Sequence, residues 1–279
     1  MNIHATCLDS SNGTQVCSEV ESYNVLGTRI SALTREQSVR LFAKHIAEGR
    51  TGYVSVCTVN DVVEAVRDPA FKEAVAGSWL KTADGMPLVW WGRLRTSHPV
   101  ERVYGPDTLR AVLTDPGHRE TRHYFFGGAN EAITAQFVEA ARAMNPDLRV
   151  AGAMTPPFGD PGPERQQEIL DEINASGADI VWVGLGAPAQ VFWMARHRQA
   201  LRPSLLVGVG AAFDFLAGIK SEGPRWMRRA GLQWLFRLIQ EPRRLWRRYL
   251  VYNTLFLFHG IRQVCGITRY PVIENKDGE

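Results

Sequence analysis

A chain of 279 residues with 45% hydrophobic and 22% charged residues can bury a substantial core, so disorder is not its default state. The formal charge of +3 is too small for a dedicated nucleic-acid binder, and aromatics are not interleaved with a basic patch along the chain, so no nucleic-acid partner is expected. Four scattered cysteines (Cys7, Cys17, Cys57 and Cys265) lack any CxxC spacing, which argues against a zinc site or a disulfide framework and fits a reducing compartment.

Residues 1 to about 22 are rich in Ser, Asn, Thr and Gly and read as a flexible leader. They lack the charged start and apolar run of a secretory signal. No stretch reaches the roughly 18 apolar residues of a membrane span, so a cytoplasmic chain, soluble or peripheral, is expected. Residues 25–30 read as a short strand, and Thr34, Glu36 and Gln37 open an amphipathic helix with Val39, Leu41, Phe42 and Ile46 on its apolar face. A β-branched strand over 52–58 leads into a helix opened by Asn60 and Asp61. Another helix spans 69–75, and a strand over 80–83 runs into Asp84-Gly85-Met86-Pro87, with Pro87 suited to the first turn of a helix over 88–93.

From residue 121 the alternation is regular. Strands are expected over 122–126, 148–153, 180–183 and 205–209, with helices over 131–144, 164–176 and 191–201 between them. Strands separated by helices of this length predict βαβ units, hence a parallel sheet with helices on both faces. The pattern stops near Gly223, where two helices rich in Trp, Leu and Arg are expected, each beginning near a proline, Pro224 and Pro242. Between residues 220 and 250 nine Lys and Arg stand against two acidic residues, a net of +7, so the rest of the chain is net negative.

Ligands of such sheets bind beyond the carboxyl ends of the strands, where loop amides and helix N-termini meet an anion. Three glycine-bearing loops fall there: Gly127-Gly128, Gly184-Leu185-Gly186-Ala187-Pro188 and Gly208-Val209-Gly210. Glycine lets the backbone approach phosphate, so these loops suit a nucleotide diphosphate, although each alone also reads as a tight turn. There is no GxGxxG opening a helix, no GxxxxGK[ST], no GxSxG and no HExxH, which argues against a dehydrogenase, a P-loop NTPase, a serine hydrolase and a protein-bound metal.

The order of short motifs resembles one family. Thr58-Val59-Asn60, Asp84-Gly85, Glu101-Arg102-Val103-Tyr104-Gly105, Phe126-Gly127-Gly128, Asp179-Ile180-Val181 with the Gly184 to Gln190 loop, Phe213-Asp214-Phe215, Gly231-Leu232-Gln233-Trp234 and Glu241-Pro242-Arg243-Arg244 stand in the sequence of the WecG/TagA/CpsF glycosyltransferases. The resemblance runs from about Tyr23 to Asn253. It implies an inverting, metal-independent transfer from a UDP-sugar to a polyprenyl-diphosphate-linked glycan at the inner face of the cytoplasmic membrane, with no cofactor. Inversion requires one carboxylate base, and the resemblance gives that role to Asp84 in the family's DG motif, where residue type alone reads first as a helix cap.

Other roles follow from the same match. Thr58 and Asn60 would bind sugar hydroxyls, with Asn60 alternatively a cap. Arg102 would hold a diphosphate, or else pair with Glu101 or Asp107. Gln190 would touch nucleotide or sugar. Gly127, Gly128, Gly184, Gly186 and Gly210 would line the nucleotide, and Asp214 would order its loop or cap a turn. Pro188-Ala189-Gln190-Val191 departs from the family's PKQE stretch, which bears on donor choice and leaves open a catalytically inactive nucleotide-sugar-binding partner in the same pathway.

The implied organisation is a leader (1–22), an α/β subdomain on the acceptor side (23–120), a Rossmann-like nucleotide-sugar-binding subdomain (121–222) and a basic amphipathic helical appendage (223–279). Arg225, Arg228, Arg237, Arg243, Arg244, Arg247 and Arg248, interspersed with Trp and Tyr, suit an anionic membrane surface or the acceptor diphosphate. The alternative is a pair of core helices whose arginines bind the protein's own acids. Self-association to a homo-oligomer is left open.

Overall fold

The computed structural model describes residues 20–273; residues 1–19, with Cys7, Cys17 and most of the expected leader, and residues 274–279 lie outside the described residues, as do the side chains of Arg225, Arg229, Arg244 and Arg248. The chain opens with β1 (Ser22–Val25) and β2 (Thr28–Ser31), then α1 (Arg35–Ala47), β3 (Gly52–Cys57), α2 (Val59–Arg67), α3 (Pro69–Ala76), β4 (Leu80–Ala83), α4 (Met86–Arg93) and α5 (Gly105–Thr114). It continues through β5 (Arg122–Gly127), α6 (Glu131–Met144), β6 (Arg149–Met154), α7 (Gly162–Ala175), β7 (Ile180–Gly184), α8 (Ala189–His197), β8 (Leu205–Gly208) and α9 (Ala212–Leu216). Three helices close it: α10 (Arg225–Arg229), α11 (Gln233–Gln240) and α12 (Pro242–Val264).

Six strands form one sheet in the order β4-β3-β8-β7-β5-β6, every pair parallel. Strands from the 23–120 and 121–222 segments therefore share a single sheet. Side chains alternate across it, as a period of two requires. Phe125, Trp182 and Val207 face a layer holding Phe42 of α1, Leu109 of α5 and Phe137 of α6. Tyr124, Phe126, Val181 and Leu206 face the other layer, with Ile169 and Ile173 of α7 and Met194 of α8. The expected α/β class with helices on both faces is what the chain adopts.

Three local differences have physical causes. The single strand expected over 25–30 is a hairpin, because Leu26 and Gly27 take positive φ (52° and 87°), a two-residue turn that matches the twist of paired strands. The Leu26 N–H in that turn donates to Gln263 Oε1 at 2.9 Å, a partner 237 residues away that no local pattern announces. The helix α5 was not anticipated, although Pro106 in its first turn and buried Leu109, Val112 and Leu113 carry the helical signal. The C-terminal segment holds three helices where two were expected, since Gly231 at φ 73° breaks the first of them.

Candidate active site

Beyond β5 the chain turns toward one edge of the sheet, and beyond β7 toward the other, which opens a crevice between their carboxyl ends. Gly127 and Gly184 end these two strands side by side, and the Phe213 ring of α9 lies against both. A Cβ on either glycine would come within 2.4 Å of that ring. Their lack of a side chain thus lets an aromatic floor seat itself under the crevice. Above that floor is a cleft of about 780 Å³, a volume that suits a small-molecule ligand.

The helices α5, α6 and α8 are among those that begin at this cleft. Gly105 and Pro106 at the start of α5, Gly128 and Ala129 just before α6, and Gly186 and Ala187 just before α8 all line it. Free N–H groups and the positive ends of three helix dipoles therefore face one volume, an arrangement that favours an anion. Gly210 lines it too, and its N–H donates to Gln190 Oε1 at 3.0 Å. Gln190 lies in the first turn of α8 rather than in the preceding loop, and it is buried, so the contact described for it is with the Gly210 loop.

Asp84 lines the same cleft, immediately after β4. It does not cap α4, whose N-cap is Gly85. Its carboxylate is instead gripped by Arg102: Nε and Nη2 donate to Oδ1 at 3.1 and 2.8 Å, and Nε also donates to the Asp84 carbonyl at 2.5 Å. Neither Glu101 nor Asp107 is the ion-pair partner of Arg102. Oδ2 of Asp84 takes no hydrogen bond among the described residues and remains available to a ligand in the cleft. Burial pushes the Asp84 carboxyl above the usual carboxylate range, against the pull of Arg102 and with a further push from Asp61.

Thr58 and Asp61 complete this wall. Thr58 is the N-cap of α2, and both its N–H and its hydroxyl donate to Asp61 Oδ2 at 2.7 Å. Asn60, one residue inside α2, is therefore not the cap; its Oδ1 is buried without a partner among the described residues, and it does not line the cleft. Asp61 is a carboxylate of the cleft that sequence reasoning had placed only at a helix start. The Thr58-x-x-Asp61 spacing is the signal that marks it. Asp214 also lines the cleft and pairs with Lys220 Nζ at 2.8 Å, and Lys220 is a second residue that sequence reasoning missed.

The match to known proteins covers this whole arrangement. Residues 23–269 match the model of the "Glycosyl transferase WecG/TagA/CpsF family". The chain belongs to that family. A curated relative from Bacillus spizizenii, an N-acetylglucosaminyldiphosphoundecaprenol N-acetyl-beta-D-mannosaminyltransferase, is 29% identical over 187 residues, which is 67% of this chain and 70% of that protein.

In this WecG/TagA/CpsF glycosyltransferase the C-terminal arginines divide by position. Arg237 of α11 reaches the cleft, with its guanidinium over the Phe215 ring at 5.9 Å. Arg228 of α10 turns inward to Glu222 Oε2 at 2.8 Å and to Asp107 Oδ1 at 3.7 Å, the pairing with internal acids that the core-helix alternative describes. Arg243 and Arg247 of α12 are exposed. Nothing is described for the side chains of Arg225, Arg244 and Arg248. Among the described residues no helix is long and apolar enough to cross a membrane.

Proposed function

We propose that this glycosyltransferase moves a hexose or N-acetylhexosamine from a UDP-sugar, with inversion and without a protein-bound metal, to a polyprenyl-diphosphate-linked saccharide in bacterial surface polysaccharide synthesis. The lipid-diphosphate acceptor is supported by the relative from Bacillus spizizenii, whose name specifies an N-acetylglucosaminyl-diphosphoundecaprenol acceptor. One observation carries the chemistry: a carboxylate with one oxygen free of hydrogen bonds among the described residues lines the same cleft as the starts of α5, α6 and α8.

Asp84 Oδ2 takes the proton from an acceptor hydroxyl as that oxygen bonds to the anomeric carbon. The bond from that carbon to the β-phosphate oxygen breaks, and the electron pair leaves with UDP. Helix N-termini and the cations of Arg237 and Lys220 meet the charge that develops on the diphosphate. Thr58 lines the cleft with Asp84, and its hydroxyl oxygen would orient a sugar there. Arg102, already bound to Asp84, orients the base and moderates its basicity.

Asp84→Asn keeps shape and removes the proton acceptor. It is expected to lower acceptor-dependent UDP release by at least about a hundredfold, with UDP affinity within about twofold of the parent. Turnover at the parental rate would remove Asp84 as the base. Chelation with EDTA is expected to leave the rate unchanged. A panel of UDP-sugars read by UDP release names the donor; Ala189, in the Pro188 to Val191 stretch that departs from the family's pattern, lines the cleft.

The membrane face belongs to the same reading. Trp246, Leu250, Leu257, Ile261 and Val264 of α12, spaced four, seven, four and three residues apart, fall on one side of the helix and are 52–63% exposed, with exposed Arg243 and Arg247 nearby. An apolar stripe beside cations suits the anionic interface where a lipid-linked acceptor resides.

A further inference from the structure

The C-terminal segment touches the cleft wall at one buried polar residue that the chemistry above does not use. Gln233 in the first turn of α11 is 6% exposed. Its Oε1 accepts from Arg102 Nη2 at 2.6 Å, the same nitrogen that donates to Asp84 Oδ1. Its Nε2 donates to the Tyr104 hydroxyl at 2.8 Å and to the Glu222 carbonyl at 3.4 Å. Tyr104 in turn lies under the Arg102 guanidinium, 4.3 Å from ring to Cζ. The Glu222 carboxylate is itself fixed by Arg110 of α5 and Arg228 of α10.

The guanidinium is thus held on three sides: by Asp84, by the tyrosine ring and by an amide that only the C-terminal segment supplies. We propose that Gln233 is a positioning residue for the Arg102–Asp84 pair: its amide fixes the guanidinium that orients the base. The inference rests on Asp84 being the base. A guanidinium that loses its third anchor swings about the Asp84 carboxylate, and misplacement on the scale of an ångström slows a reaction that depends on alignment.

A residue that merely filled space would change stability without changing the pH dependence of turnover. The groups around the Asp84 carboxyl are Arg102 and Tyr104 from the segment before α5, Asp61 from α2, Cys57 from β3 and Arg237 from α11, with Glu222 acting on Tyr104. Of these, Arg102 is the cation in contact, so changing its anchor must be felt at Asp84.

The test compares Gln233→Leu and Gln233→Glu with the parent as full-length proteins, by UDP release against a lipid-diphosphate-saccharide acceptor across pH, with thermal unfolding alongside. In Gln233→Leu, kcat is expected to fall roughly tenfold, with the donor KM within about twofold of the parent. In Gln233→Glu, which keeps size and shares Arg102 between two carboxylates, the acid limb of kcat is expected to move about one pH unit upward. If Gln233→Leu does not fold, the Glu variant decides alone. A folded Glu variant whose acid limb coincides with the parent's overturns the inference. Asp84→Asn, assayed in parallel, separates the two failures. Parental turnover there removes the base and this inference together, whereas an inactive Asp84→Asn beside an unmoved limb in Gln233→Glu removes only the positioning role.

Discussion

The Asp84 carboxyl is raised by burial, lowered by Arg102 and raised again by Asp61, with burial the largest influence. A more basic carboxylate holds its proton to higher pH, so turnover should fall on the acid side at a pH above the ordinary carboxylate range. A kcat profile that stays flat to pH 4 would contradict this. Packing sets a second limit under the crevice. A methyl at Gly184 would meet the Phe213 ring at 2.4 Å and the Gly127 Cα at 3.2 Å. Gly184→Ala should therefore cost about 1–3 kcal/mol in urea unfolding, and Phe213→Leu in the same chain should return part of that loss. Away from the cleft, burial holds the His45 ring down to about pKa 4 and the His123 ring down to about 3. Both pKa values fall on folding, so the unfolded chain binds more protons below about pH 6.5. The stability each neutral ring supplies is whole above that pH and is lost as pH falls toward the folded value. Between pH 7 and pH 5 the loss should be about 2 kcal/mol per ring, and His123→Leu should make the urea midpoint fall less steeply over that window, leaving the part due to His45.

At the scale of elements, the parts legible in the sequence were those with a local cause. The strand at Gly52–Cys57 was marked by a β-branched run and α4 by Pro87 in its first turn, and the three glycine loops fell at the strand ends that form the cleft. What escaped reading depended on partners far along the chain. The Asp84–Arg102 grip joins residues 18 apart, and the Arg102–Gln233 contact spans 131 residues. A motif can place such residues in order, but only the tertiary fold can bring them to hydrogen-bonding distance. The same division applies to α12. Trp, Tyr and Leu among the arginines signal amphipathicity, but the pattern does not say which of them the body covers: Leu245 and Tyr249 are buried, whereas Trp246, Leu250 and Leu257 are exposed. If the exposed stripe docks on lipid, Trp246→Ser with Leu257→Ser should reduce flotation with anionic vesicles severalfold and leave the melting temperature within a degree or two of the parent. Unchanged flotation would remove α12 as the docking element.

For the molecule as a whole, the basic segment is built into the body of the enzyme. Phe256 of α12 is buried in the same apolar cluster as Val62 of α2 and Leu88 of α4, and the Tyr252 hydroxyl bonds Glu64 of α2, whose first turn lies at the cleft. Gln263 also clamps the β1–β2 turn through the Leu26 N–H. Removing everything after Gly223 would strip a wall from that cluster and the third anchor from Arg102. A truncated chain should therefore lose thermal stability and turnover together, even in a detergent assay where no membrane is needed. Deleting a large apolar side chain from such a core costs about 3–5 kcal/mol, so Phe256→Ala alone should reproduce much of the destabilisation. Membrane docking is separable from this by salt. The +7 charge of residues 220–250 should give vesicle binding that weakens from low to high ionic strength, while the α12 stripe should retain a salt-resistant remainder. Binding that disappears completely at high salt would assign docking to the arginines alone and leave the exposed stripe without that role.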